Sequence, residues 1–269
     1  MAFTHLLTRR EGSVEHLTLN RPDVRNAFNE GMIEEISEWA LSRHAGLSVR
    51  AAVLRGAGVV FSAGGDLSWM ARTVDYTRDQ NLRDAEALAR MYGRLDALPV
   101  PLVGCVHGAA LGGGSGLAAV CDIVVAARDA VFGFTEVRLG IVPAVISPFV
   151  VAKIGRSAAR ELFLTGARFS AERARDIGLV HAVVEPDALE DEVRRVVDGI
   201  LACGPQAVST AKALIGRVSA GPSSESAGLA AETLADARVS PEGQEGLRAF
   251  LEKRRAAWRE DVGEDRGQR

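Results

Sequence analysis

The stretch from Val106 to Leu117, VHGAALGGGSGL, limits the folds open to this chain more than any other. An apolar run from Pro101 to Val106 leads into it and predicts a buried strand. Three glycines follow, Gly112, Gly113 and Gly114. Leu117, Ala118, Ala119 and Val120 then predict a short, fully buried helix. A strand that turns through glycine into a helix leaves backbone N–H groups free at the helix start, where the helix dipole favours negative charge. Glycine also lets a ligand approach the backbone, because no Cβ is in the way. A glycine triplet alone fits close backbone packing equally well. A second stretch, Val60 to Leu67 (VFSAGGDL), adds to it: it follows the apolar run Ala51 to Leu54 and also contains a glycine pair. Two glycine turns, each after a strand, could supply one N–H apiece to a single oxygen, which is the geometry of an oxyanion hole.

Composition narrows the class. A chain of 269 residues holds one large domain, or a core domain with an appendage. Hydrophobic residues at 47% and charged residues at 25% are ordinary for a globular protein. The net charge of −3 argues against a broad nucleic-acid surface, so no nucleic-acid partner is expected. Three cysteines, Cys105, Cys121 and Cys203, sit among apolar or small residues without regular spacing. That predicts buried free thiols in a reducing cytoplasm, with no disulfide framework and no zinc site. No apolar stretch of transmembrane length and no targeting segment is visible, so neither a membrane association nor a metal is expected.

Along the chain, Val14 to Leu19 predicts a strand ended by the turn residues Pro22 and Asp23. Met32, Ile33, Ile36, Trp39 and Ala40 recur at helical spacing, and Val49 to Arg55 predicts the next strand. Leu67 to Asp84 is polar; it reads either as ordinary surface or as a flap beside the first glycine turn. Ala85 to Leu98 returns to helical periodicity and ends at Pro99. Beyond Phe134 the chain becomes mainly helical. Ser157 and Ser170 are predicted N-caps, Gly178 a helix stop, and Leu179 to Val184 a last short strand. Asp187 with Glu190 predicts a capping box for a helix to about Leu201. Further helices start near Pro205, Ser223 and Ser240, and the charged tail from Glu260 is expected to be disordered.

The two glycine stretches, followed by Cys121-Asp-Ile-Val-Val-Ala126, resemble the crotonase (enoyl-CoA hydratase/isomerase) superfamily over nearly the whole chain. The resemblance implies an α/β fold. Residues 1–195 form a spiral of strand–strand–helix turns carrying the CoA-ester site. Residues 196–269 form a helical segment that assembles a homotrimer, or a dimer of trimers. It implies an acyl-CoA thioester as substrate and no separate cofactor, coenzyme A being part of the substrate. The oxyanion donors fall on the N–H groups of Gly65 and Gly113. Coenzyme A contacts fall on Val24, Arg25, Ala63 and Gly64, with Phe250 and Lys253 reaching the phosphate side from a neighbouring subunit. Leu67 falls among the substrate-binding residues, and Trp69 and Met70 line the acyl pocket or the core.

The family's general acid/base carboxylates occupy two positions. One matches Glu136, in Phe134-Thr-Glu-Val-Arg-Leu-Gly140, and is assigned as the catalytic acid/base. Without the resemblance, the same carboxylate reads as a helix-start group or an ion pair with Arg138. The other position holds Gly116, so a two-glutamate mechanism does not carry over; the glycine is expected to leave space beside the reacting bond. After Pro143 the family's Gly-rich stretch is replaced by Ala144-Val-Ile-Ser-Pro148, in which the Ala144 N–H is still expected to be a donor. His107 and Asp122 are expected to be structural.

These residues point to hydration of a 2-enoyl-CoA thioester through a stabilised enolate. The motifs are similar to those of bacterial methylglutaconyl-CoA hydratases of leucine breakdown. A generic enoyl-CoA hydratase, an enoyl-CoA isomerase that relocates the double bond, and a non-catalytic acyl-CoA-binding protein stay open as alternatives.

Overall fold

The hairpin of β1 (Leu6–Glu11) and β2 (Val14–Leu19) opens the chain, with Leu6 opposite Leu19 and Glu11 opposite Val14. Every β1 residue after Leu6 is exposed. This edge strand therefore lacks the apolar alternation that reveals a strand in sequence, and sequence reasoning missed it. The computed structural model describes residues 3–43, 49–220 and 223–259.

Helix α1 (Glu30–Arg43) buries Met32, Ile33, Ile36, Trp39 and Ala40, the face expected from their spacing. Strand β3 (Ala51–Gly56) pairs parallel to β2. The polar stretch after the first glycine turn is helical. It forms α2 (Leu67–Thr73) and the start of α3 (Arg78–Asp96). Thr77 and Gln80 make a reciprocal capping box at the start of α3, a T-x-x-Q signal legible in the sequence.

Two further turns of the spiral follow. Strands β4 (Leu102–Val106) and β5 (Ala109–Leu111) lead into α4 (Gly113–Val120), which begins four residues before the expected apolar start. Strands β6 (Ile123–Ala127) and β7 (Val131–Gly133) lead through a 3-10 turn into α5 (Ser147–Thr165). Then come β8 (Arg168–Ser170), α6 (Ala171–Asp176), β9 (Ala182–Val184) and α7 (Leu189–Leu201). The larger sheet has the order β1-β2-β3-β4-β6-β9, parallel from β2 onward; the smaller has the order β5-β7-β8. The repeated strand–strand–helix architecture is the one expected. All of β4 is buried, as suits a parallel strand covered on both faces.

Local departures have physical causes. Ser157 does not cap a helix: Gly155, at φ 71 and ψ 165, breaks α5 two residues earlier, and Ser157 lies inside the second half. Ser170 does cap α6, accepting from Arg173 N at 3.2 Å, and Gly178 at φ 85 follows its end. The expected Asp187–Glu190 capping box is replaced by a 3-10 turn over Pro186–Ala188, and Glu190 instead accepts from Arg55 Nη1 at 2.7 Å. Cys105 and Cys121 are buried free thiols, but Cys203 is exposed. Burial pushes the Cys105 thiol up to about 12, so it stays protonated and inert.

The chain divides into two compact units, Met1–Leu98 with Leu102–Arg194, and Pro99–Pro101 with Arg195–Arg269. The first holds both sheets. The second holds α8 (Pro205–Ala220), α9 (Ser223–Val239) and α10 (Pro241–Leu251). Within it the Glu242 carboxylate accepts from Gln206 N and Ala207 N at the start of α8, and Lys212 Nζ donates to Val100 O at 3.1 Å. Leu234, Val239, Leu247, Phe250 and Leu251 are exposed apolar side chains of this unit. The tail from Glu260 lies outside the described residues. Among the described residues, no helix is long and apolar enough to cross a membrane.

Candidate active site

The turn after β3 is held in place by the segment from Arg21 to Asn26. Arg25 and Asn26 are both left-handed, at φ 55 and 53. Asn26 is fully buried, and its amide donates to Ala57 O and Val60 O at 2.7 and 2.9 Å while its Oδ1 accepts from Arg21 N at 2.9 Å. Its carbonyl accepts from Ser62 Oγ at 2.8 Å. Arg21 pairs with Asp66 at 2.8 Å, and Asp66 also caps α2 by accepting from Ser68 N and Trp69 N. Burial works against the Asp66 charge. Hydrogen bonds from Trp69 N and Arg21 outweigh it and hold the carboxyl below its ordinary value.

This framework exposes one backbone donor. Phe28 and Gly65 face each other in a parallel bridge. The bridge is made by the neighbours of Gly65: Phe28 N donates to Gly64 O and Asp66 N donates to Phe28 O, at 2.7 and 2.8 Å. Gly65 N–H therefore has no acceptor among the described residues. Gly113 N–H is free for a different reason: it belongs to the first residue of α4, while Gly112 N donates to Gly133 O. Gly65 and Gly113 are half-buried, whereas Gly64, Gly112 and Gly114 beside them are buried. The two turns touch. Gly64 has φ 91, and a Cβ there would lie 2.7 Å from Leu111 O and 3.6 Å from Gly113 N. A Cβ on Gly113 would come within 2.8 Å of the Phe28 ring and 2.9 Å of Tyr92 Oη, so only glycine fits.

Glu136 opens the 3-10 turn after β7, and its carboxyl reaches back to the glycine triplet. Oε1 lies 3.3 Å from the position of a Cβ on Gly112. Oε2 is buried without a hydrogen-bond partner, and the ion pair with Arg138 is not formed. Burial raises the Glu136 carboxyl above its ordinary value of 4.5. Such a group exchanges protons near neutrality more readily than a solvated carboxylate. Two free N–H donors beside a carboxyl with one unpartnered oxygen can stabilise a developing oxyanion while a proton moves.

The surroundings of Gly116 differ from expectation. No space is left there: a Cβ would lie 2.3 Å from Ile146 Cγ2 and 3.0 Å from Tyr92 Oη. Both Ile146 and Tyr92 are buried and fill the volume that a longer side chain would need. The Ala144 N–H is also not free; it donates to Val142 O at 2.8 Å.

Ala63 N donates to Arg25 O at 2.9 Å, which brings Val24, Arg25 and Ala63 together. Met70 Sδ lies 3.2 Å from the Cβ position of Gly65, and the Trp69 indole donates to Asp84 at 3.0 Å. Leu67 is exposed. Phe250 is exposed and Lys253 is left-handed at φ 55, both in the second unit. His107 Nε2 contacts Gly58 O at 3.0 Å, and Asp122 accepts from Leu102 N at 2.7 Å. No cluster among the described residues could hold a metal ion. Sequence reasoning did not single out Arg21, Asn26, Phe28, Tyr92 or Ile146. Tyr92 and Ile146 carry no local signal; their neighbours come from other elements.

The sequence model of the enoyl-CoA hydratase/isomerase family matches residues 9–261. The chain is similar to a putative enoyl-CoA hydratase of Thermus thermophilus, 34% identical over 244 residues that cover 91% of this chain and 96% of that protein. It is 31% identical to the crotonyl-CoA hydratase of Syntrophomonas wolfei, over 95% of this chain and 98% of that one. Among solved structures, Pseudomonas aeruginosa AtuE matches with a TM-score of 0.92 at 40% identity, covering 95% of this chain and 99% of that chain. An enoyl-CoA hydratase from Shewanella pealeana matches with a TM-score of 0.91 at 37% identity, covering 95% and 96%.

Proposed function

The chain belongs to the enoyl-CoA hydratase/isomerase family, and on that premise we propose that it hydrates a 2-enoyl-CoA thioester with Glu136 as the single acid/base. The observation that carries this reading is the Glu136 carboxyl, with its buried Oε2 unpartnered, beside two unpartnered backbone N–H groups. The thioester oxygen accepts from Gly65 N–H and Gly113 N–H. Glu136 takes a proton from water as the water oxygen bonds to C3. The electron pair of the C2–C3 double bond moves onto the thioester as an enolate held by the two donors. Glu136 then returns the proton to C2, giving the 3-hydroxyacyl-CoA with atoms and charge balanced. Val24, Arg25, Ala63 and Gly64 are assigned to the coenzyme A moiety, as are Phe250 and Lys253 of a neighbouring subunit.

The finer reading is methylglutaconyl-CoA. Its distal carboxylate needs a cation. Arg72 is already paired with Glu30, and Lys153 Nζ donates to Cys121 O. Arg138, on the same turn as Glu136, has no ion-pair partner among the described residues and is the assigned cation. A second reading, enoyl-CoA isomerase, is favoured by the single carboxylate, since relocating a double bond requires one group that moves one proton.

Loss of enoyl-thioester absorbance on crotonyl-CoA and methylglutaconyl-CoA tests the proposal. Faster turnover of methylglutaconyl-CoA, with Arg138→Gln lowering only that rate by about tenfold, is the expected result. Equal rates favour a general hydratase, and turnover of a 3-enoyl-CoA alone makes it an isomerase. No turnover of any of them leaves an acyl-CoA-binding protein.

A further inference from the structure

We propose that the Tyr92 hydroxyl is a positioning group that fixes the orientation of the Gly113 oxyanion donor. The inference rests on the reading that Gly113 N–H holds the thioester oxygen. Tyr92 lies on α3 and is fully buried. Its hydroxyl donates to Gly113 O at 2.7 Å. The same oxygen lies 2.9 Å from the Cβ position of Gly113 and 3.0 Å from that of Gly116. It is therefore wedged against the first turn of α4, between the two glycines.

The physical need for such a group follows from glycine. Gly113 has no side chain to limit its backbone angles, and its N–H has no partner within the described chain. Its N–H shares a peptide plane with Gly112 O, which accepts from Gly116 N at 3.1 Å, and the hydrogen bond that pins the Gly113 carbonyl holds the next peptide plane as well, so the donor is fixed from both sides. A phenylalanine at position 92 would fill the same volume and bring no buried hydroxyl to satisfy. What the tyrosine adds is the donor. Burial, and then the nearby charge of Glu136, push the phenol up from its ordinary value. The hydroxyl therefore keeps its proton and stays a donor at neutral pH. The Phe149 ring, with its centroid 6.0 Å from that of Tyr92, supports the ring from α5.

The test compares Tyr92→Phe with Phe149→Leu, which loosens the ring packing and leaves the hydroxyl in place. The readouts are crotonyl-CoA hydration and the absorbance of acetoacetyl-CoA at neutral pH, where an oxyanion hole that holds its oxygen raises the enolate fraction above that in buffer. We expect Tyr92→Phe to lower kcat by about 10- to 100-fold with KM changed less than about threefold. The enolate band should weaken, while binding of saturated butyryl-CoA is retained. Phe149→Leu should keep the band. A Tyr92→Phe variant with wild-type kcat and enolate band overturns the proposal, and so do two variants that lose stability and activity in parallel. A structure of the wild-type complex with acetoacetyl-CoA gives a check independent of variant folding. Tyr92 Oη farther than about 3.5 Å from Gly113 O there also overturns it. A wild-type protein with neither turnover nor an enolate band removes the functional reading itself, and this inference with it.

Discussion

Glu136 serves two conflicting demands. A carboxyl with one buried oxygen lacking a hydrogen-bond partner opposes folding, yet the same burial suits it to proton transfer. Glu136→Gln keeps the shape and removes the proton acceptor. Steady-state assays should show a rate loss of about two to four orders of magnitude with acyl-CoA binding little changed. Thermal unfolding at neutral pH should show the variant more stable, by roughly 0.5–2 kcal/mol. The sign follows from linkage: a carboxyl whose folded pKa is raised weakens the fold once pH has risen past its unfolded value, and the amide lacks that term. The acidic limb of kcat/KM should accordingly lie above 4.5, with activity falling as pH drops through it. The position of Glu136 was legible because its motif is local in the chain. The filled space at Gly116 was not, because Ile146 and Tyr92 arrive from α5's leading turn and from α3.

The helices and turns that present the donors are held by a few polar side chains. Asp66 joins the start of α2 to Arg21, and Asn26 ties the turn that begins at Pro22 to the segment after β3. Asp66→Asn should destabilise the protein by about 1–3 kcal/mol in denaturant titrations, since it leaves a half-buried guanidinium short of a charged partner. The pH dependence has the opposite sign to that of Glu136. The folded Asp66 carboxyl is held below 3.8, so its contribution is complete above that value and is lost as pH falls through the lower folded one. Acid unfolding should therefore begin at higher pH in the Asn variant. At this scale the sequence was a partial guide. The helix spanning Met32 to Ala40 and the all-apolar β4 declared themselves by periodicity and by an unbroken apolar run. Strand β1, almost wholly exposed, and the polar α2 carried neither pattern.

For the molecule as a whole, both units bury some apolar side chains and expose others. The first unit buries large side chains from both sheets. The second exposes Leu234, Val239, Leu247, Phe250 and Leu251 on α9 and α10. Exposed apolar area of that kind is commonly covered by another surface. Light scattering should give a mass that is a multiple of three chains, and Phe250→Asp with Leu251→Asp should shift it to smaller species and lower the apparent affinity for CoA esters. A monomer at micromolar concentration would contradict the assembly. The recurrence of strand–strand–helix turns was readable in sequence, but the order of the strands in the two sheets was not. The content of the second unit was readable only as amphipathic helices, because what covers their outer faces is not written in the spacing of one chain.

The Ile146 methyl lying over Gly116 makes these positions epistatic. A single step that installs a carboxylate at Gly116 drives it into Ile146 and the Tyr92 hydroxyl, so Gly116→Glu alone should be poorly folded and inactive. Ile146→Ala alone opens a cavity and should cost about 2–4 kcal/mol. Together the two changes make room for the acid they introduce, and the double variant should be more stable than the sum of the singles predicts and faster on crotonyl-CoA than Gly116→Glu. A one-carboxylate and a two-carboxylate site are thus separated by a fitness valley one residue wide.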